Sequence, residues 1–179
     1  MRHFCSRTGR VGRFLSHQKG MAAVEFALIA PVLLFLYLGA TDLTQALAID
    51  RKLGLFASTV SDLVAQEKHI SGNDIRGLVD AGTAIMRPFP TDDTELRLTV
   101  FDLTDGPPNV TCNWATAAAP ASGALPPEML TLAAGHYVVL ATAWYEYQPM
   151  FGTIFNASMP LEQRSLHIVR QDITGTFGC

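Results

Sequence analysis

The sequence predicts an α+β protein: an N-terminal transmembrane helix continuing into an amphipathic helix, packed on a small antiparallel sheet of about four strands. Three observations carry that prediction. Residues Gly20 to Ala40, GMAAVEFALIAPVLLFLYLGA, hold one charge, Glu25, and run unbroken and apolar from Phe26 to Leu38. Behind them, apolar residues recur at alternating three- and four-residue steps over about seven helical turns. Beyond Thr94 the pattern changes to alternation in short runs separated by Gly- and Pro-bearing turns.

At about 1.5 Å of rise per residue, the stretch from Met21 to Ala40 crosses a hydrocarbon core roughly 30 Å thick. Residues 1–20 carry Arg2, Arg7, Arg10, Arg13 and Lys19 and no acid. A basic flank stays on the cytoplasmic side, which sends the C-terminal portion across the membrane. The 179 residues hold 13 basic and 16 acidic side chains, a formal charge of −3, so the portion after residue 20 is distinctly acidic. That balance gives no support to nucleic-acid binding, which needs a basic surface.

Glu25 calls for a reason, because a carboxylate at mid-depth in lipid costs on the order of 2.5 kcal/mol or more. Two readings are open. It sits at headgroup level and snorkels, or its spacing matters. If the chain is cut after Gly20, Met21 becomes the N-terminus and Glu25 the fifth residue, one helical turn from the new ammonium. Pro31, inside the presumed helix, removes one backbone donor and loosens the turn beginning near Ala27.

The stripe behind the membrane run is Leu43, Ala46, Asp50, Leu53, Ala57, Val60 and Val64, thickened by Leu47, Phe56 and Leu63. It predicts a helix of about 25 residues, weakest near Gly54. A second helix follows from Ser71, an N-cap with Asp74 three positions on, and its apolar side is Ile75, Leu78, Val79, Ala81, Ile85 and Met86. Pro88 and Pro90 stop it. Strands are expected at Glu95–Leu103 and Val110–Trp114, joined through Asp105-Gly106-Pro107-Pro108 as a hairpin. Thr116–Pro127 reads as an Ala/Pro/Gly-rich loop with few anchors, and Pro126–Leu130 as the opening of a short helical turn. His136–Tyr147 is apolar on both faces, which suits a central strand. Leu161–Arg170 is the last strand. There is no internal repeat and no heptad array long enough for a coiled coil.

Other targeting schemes fit less well. Ala46-Leu47-Ala48 has the form of a signal-peptide cut site, but the apolar stretch is long for that purpose and Glu25 interrupts it early. A lipoprotein signal needs a Cys just after the apolar core, and none is there. A mitochondrial presequence shares the Arg-rich, acid-poor start but does not explain the span directly behind it.

A basic leader, Gly20 at the cut, Glu25 five positions on and then an apolar helix resemble a type IV prepilin. The continuation VEFALIAPVLLFLYLGATDLTQAL is similar to the TadE-like branch, the pseudopilins of the tight-adherence (Flp-type) pilus machinery. Later segments add Cys112-Asn113-Trp114, Tyr145-Glu146-Tyr147-Gln148-Pro149 and the final Cys179. One departure is Ile168-Val169-Arg170-Gln171, where the family's pattern leads to an Arg-Pro-Arg. The resemblance implies a pilin-like fold with residues 1–20 as prepilin-type leader, 21–41 as transmembrane helix, 42–68 as the amphipathic helix extending from the anchor, and 69–179 as a periplasmic α+β domain. It implies processing at Gly20 and Met21, and an assembly role for Glu25 and Pro31.

Cys5 lies in the leader and would be lost on processing. Cys112 and Cys179 remain, an even pair in an oxidising compartment and a candidate disulfide; two buried thiols are the alternative. A zinc site from Cys112, Cys179, His136 and His167 is conceivable, since distance along the chain does not forbid it. His69, His136 and His167 are isolated in sequence, with no H-E-x-x-H or C-x-x-C beside them. Asp92-Asp93, Asp102 and Asp105 read as solvated turn carboxylates. No G-x-S-x-G and no phosphate-cradling Gly loop is present. Asn109-Val110-Thr111 and Asn156-Ala157-Ser158 match the glycosylation sequon, by accident in this context. The sequence therefore points to no enzyme, no cofactor and no small-molecule substrate.

Two functions follow. One is a minor pilin or pseudopilin, cut by a prepilin peptidase, held in the inner-membrane lipid with its N-terminus cytoplasmic, and working with other pilins and the assembly machinery of an adhesive pilus. The other is an uncut single-pass inner-membrane protein whose periplasmic domain binds envelope partners.

Overall fold

A long helix, α1 (Gln18–Gln66), runs without interruption from the apolar stretch into the amphipathic one. The computed structural model describes residues 18–121, 124–149, 158–170 and 179. Arg2, Arg7, Arg10, Arg13, Cys5, Gln171 and the sequon at Asn156-Ala157 lie outside the described residues. The chain divides into two compact units between Thr44 and Gln45.

In the first unit, α1 passes through Pro31 as helix. Its side chains from Met21 to Leu36 are exposed, apart from half-buried Ala30. Near the polar end of this unit the hydroxyls turn inward along the helix. Thr41 Oγ1 donates to Leu38 O at 2.7 Å, and Thr44 Oγ1 to Ala40 O at 2.8 Å.

In the second unit, one stripe of α1 is buried: Ala46, Ile49, Leu53, Phe56, Ala57, Val60, Val64 and Ala65. The steps are three and four, as the periodicity requires. Leu43, Leu47 and Leu63, which the sequence pattern also assigned to the stripe, stay exposed. Ile49 and Ser61 are in the core instead. The differences lie at the margins of the stripe, whose direction is unchanged: Ala46, Leu53, Phe56, Ala57, Val60 and Val64 are buried as the period requires.

Helix α2 (Gly72–Gly82) starts where Ser71 and Asp74 form a reciprocal cap. Ser71 Oγ accepts from Asp74 N, and Asp74 Oδ2 accepts from Ser71 N at 3.0 Å and from Ser71 Oγ at 2.6 Å. The two Ser71 bonds hold the Asp74 carboxyl below its ordinary pKa, so the cap is complete at neutral pH and is lost as acid protonates it. Beyond Gly82 the helix tightens into a 3-10 turn, Thr83–Met86. Lys52 of α1 donates to the carbonyls of Ile85 and Arg87 that close this turn.

The sheet comprises β1 (Thr94–Asp102), β2 (Asn109–Ala115), β3 (Tyr137–Tyr147) and β4 (Met159–Ile168), with a short helix, α3 (Pro127–Leu132), before β3. Its order is β2-β1-β3-β4, all neighbours antiparallel. β3 is central and apolar on both faces because each face has its own cluster. Val139, Ala141, Ala143, Tyr145 and Tyr147 join the core with α1 and α2, while Val138 and Leu140 join Phe101, Leu103, Leu125 and Ala133 on the other side.

Two local readings need correction. β4 begins at Met159, two residues before Leu161, and ends at Ile168. Val169 N donates to Tyr137 O, so even-numbered positions of this edge strand point away from β3, and Pro160 has no ladder bond to lose there. The Thr116–Pro127 segment has more anchors than its composition suggests. Arg97 donates to Pro120 O at 2.7 Å and Ala119 O at 3.1 Å, Thr116 N donates to Leu96 O, and Leu125 is buried.

Cys112 of β2 and Cys179 are joined as a disulfide with a Cα–Cα distance of 5.4 Å. It closes a 67-residue separation, which in a chain-entropy treatment stabilises by roughly 4 kcal/mol. Cys112→Ser or Cys179→Ser should each lower the thermal midpoint and abolish the mobility shift between reduced and non-reduced gels. Full alkylation of both thiols in protein extracted without reductant would refute the bridge.

Gly82 and Gly77 give a second test. A Cβ on Gly82 would lie 2.8 Å from Phe56 Cε2 and 3.1 Å from Val60 Cγ2, both in the core. Gly82→Ala should therefore destabilise by about 1–3 kcal/mol in denaturant unfolding. Gly77 has nothing within 4 Å, so Gly77→Ala should stabilise by about 0.5–1 kcal/mol through helix propensity alone.

Candidate functional site

The residues singled out at the N-terminus share one helix. Gly20 is the third residue of α1, and a Cβ there would meet nothing within 4 Å. Met21 and Glu25 follow, four residues apart, so they lie on one face about 6 Å apart along the axis. Both are exposed. Pro31 leaves Ala27 O without its usual helical donor. Among the described residues, α1 is the one helix long and apolar enough to cross a membrane, and no residue of its apolar window is buried. An all-round apolar helix with no protein against it fits a single-pass membrane protein. The site is thus an exposed apolar rod with one carboxylate near its beginning.

The polar groups of the globular unit are engaged in holding it together. Ser61 Oγ lies 2.8 Å from His167 Nδ1, a pairing that resembles a nucleophile and its base. Ser61 has no exposure, and its hydroxyl also lies within donating distance of Ala57 O at 2.8 Å and Ser58 O at 3.1 Å. The pair secures β4 to α1 inside the core rather than reaching a substrate. Gln163 Nε2 donates to Asp50 Oδ1 at 2.7 Å and does the same four residues earlier on the same face of β4. The sequence offered no signal for either contact, because neither residue pair is near in the chain.

The remaining candidates disperse. His69 and His136 are exposed, and His136 Nδ1 is 3.2 Å from Ala134 O. Cys112 and Cys179 share their sulfurs as a disulfide, which removes them as zinc ligands. Among the described residues no three His, Cys, Asp or Glu side chains gather as a metal site. Asp102 accepts from Thr104 N and Oγ1, bonds that hold its carboxyl below the ordinary range in a local turn. Tyr137 and Tyr145 hydroxyls are pushed up, first by burial, then by the charge of Asp102 and Asp93 respectively.

One feature had no trace in the sequence. Where β3 begins and β4 ends, an open groove of about 540 Å³ is lined by Met129, His136 and residues 166–170.

No curated protein and no solved structure matches the chain. The N-terminal helix does have a counterpart: residues 20–55, which hold Gly20, Glu25, Pro31 and the first buried turns of α1, match the family model of the TadE-like proteins.

Proposed function

We propose that the chain is a minor pilin or pseudopilin that takes part in assembling a tight-adherence pilus. The observation that carries the reading is the coincidence of the TadE-like match with an exposed apolar helix whose one early charge sits a turn from Met21. Such a family is structural, and the dispersed polar groups of the globular unit agree with a scaffold more than with a reaction centre. The protein is held in the inner membrane by α1, with residues 1–20 cytoplasmic and the globular unit periplasmic. Its partners are a prepilin peptidase, other pilins, the assembly machinery and membrane lipid.

Processing falls between Gly20 and Met21. Glycine is a poor helix former, so this end of α1 opens at low cost for a peptidase that needs an extended bond. Mass spectrometry of the native protein should find a mature chain beginning at Met21. A chain beginning at Met1, or at Thr41 or Ile49, would overturn the pilin reading in favour of an uncut or signal-cleaved envelope protein. Replacement of Gly20 by a bulky residue should leave the precursor in the membrane.

Glu25 then separates assembly from anchoring. At a membrane boundary a carboxylate snorkels at modest cost, so anchoring hardly needs it. Among parallel helices it pairs with the cationic N-terminus of an adjacent subunit, where low dielectric strengthens attraction and penalises an unpaired charge. Glu25→Gln should leave expression, insertion and cleavage intact while reducing pili and co-purified pilins. Normal pili and retained partners in that strain would reduce Glu25 to a passive boundary charge.

A further inference from the structure

The bond between Cys112 and Cys179 joins two residues in unlike surroundings. Cys112 stands on β2 opposite Val100 of β1, in the core cluster that the sheet shares with α1 and α2. It is 3% exposed and is clustered with Phe56, Val60, Val100 and Val139. Every residue of that cluster lies between Ala46 and Val169, so the burial of Cys112 is set by a part of the chain that excludes Cys179. Cys179 is exposed, with its Cα 5.4 Å from that of Cys112. The bridge thus has an inner partner and an outer one.

A disulfide forms or breaks when a thiolate attacks a sulfur, so access decides which sulfur takes part. A protein oxidant needs a thiol that it can reach from solvent. Cys112 offers none once the core has closed over it. We propose that Cys179 is the exchange sulfur of this bridge, that its partner is a dithiol oxidoreductase, and that Cys112 reacts only with Cys179.

The chemistry runs in two balanced steps. The Cys179 thiolate attacks one sulfur of the oxidoreductase's disulfide. That S–S bond breaks, a Cys179–oxidoreductase bond forms, and the leaving thiolate takes a proton. The Cys112 thiolate then attacks the Cys179 sulfur from the core side, forms the native bond and releases the oxidoreductase's other half as a second thiol. Two thiols of this chain are oxidised, and one disulfide of the partner is reduced to a dithiol. Opening the bridge runs in reverse: an outside thiolate attacks Cys179, and Cys112 leaves as a thiolate into the core. Only the compartment where the oxidant is met rests on the assembly reading; the choice of sulfur rests on burial.

The test uses full-length native protein recovered from membranes in mild detergent, with glutathione as the probe. A short exposure to reduced glutathione, stopped with acid, should place the tripeptide on Cys179 roughly tenfold more often than on Cys112, read by mass spectrometry of the two peptides. Denaturant present during the exposure should bring that ratio close to one. Adducts equal on both residues or mainly on Cys112 in the native protein overturn the assignment, as does a bias that survives denaturant. In cells quenched with acid, Cys112→Ser should accumulate a mixed disulfide with an oxidoreductase several-fold above Cys179→Ser, counted on the folded fraction. The opposite order there overturns the sequence of steps. The first arm does not depend on where the protein resides, whereas the second does. A clear Cys179 bias in the first with no adduct from either variant in the second upholds the exchange sulfur and sinks the exported location.

Discussion

The structure of the globular unit depends on the burial of one stripe of α1 against the sheet. Phe56, Leu53, Val60 and Val64 are fully inside, and they meet β1, β3 and α2 residues from every direction. A twisted four-stranded sheet buries one face only if something covers it, and here a single helix and the short α2 do so. That explains the intolerance at Gly82, where α2 ends directly over Phe56 and Val60. The second face is finished differently, by α3 and a strap held through the Arg97 guanidinium.

Along its length α1 meets two sets of demands. Up to Thr41 nearly all of its surface is apolar and unburied, and from Ala46 onward one stripe is apolar and the remainder mostly polar. Apart from the donor missing at Pro31, backbone bonding follows one pattern, because a helix satisfies its own donors and acceptors whether or not water is present. Continuity of the backbone therefore requires no join. Only the side-chain pattern changes.

Much of this was legible in the sequence, where a strong periodicity met a local stop signal. The capping pair Ser71 and Asp74, the hairpin through Gly106 and the two-faced β3 all follow from short-range chemistry, and the structure has each of them. The membrane-length stretch was legible for the same reason. Strand order, the tethering of β4 through Gln163 and His167, and the groove at Ile168 were not, because they join residues scores of positions apart. The exposure of Leu43, Leu47 and Leu63 lay between these cases: period and direction were right, but the width of the buried stripe depended on tertiary contacts. Gly20, Glu25 and Pro31 stood out through motif spacing, whereas their exposure on a helix with no protein against it is a property of the fold.

The parallel course of α1 and β4 has a mechanical meaning. Tension applied through the helix acts along the strand, so it loads the ladder between β4 and β3 in shear. Ten residues of strand then resist together, where a pull across the sheet would peel one bond at a time. The contacts at Asp50 and Ser61 sit three turns apart on the helix and face two positions four residues apart on the strand, so slippage by one turn breaks both at once. A domain built this way yields abruptly under load instead of creeping.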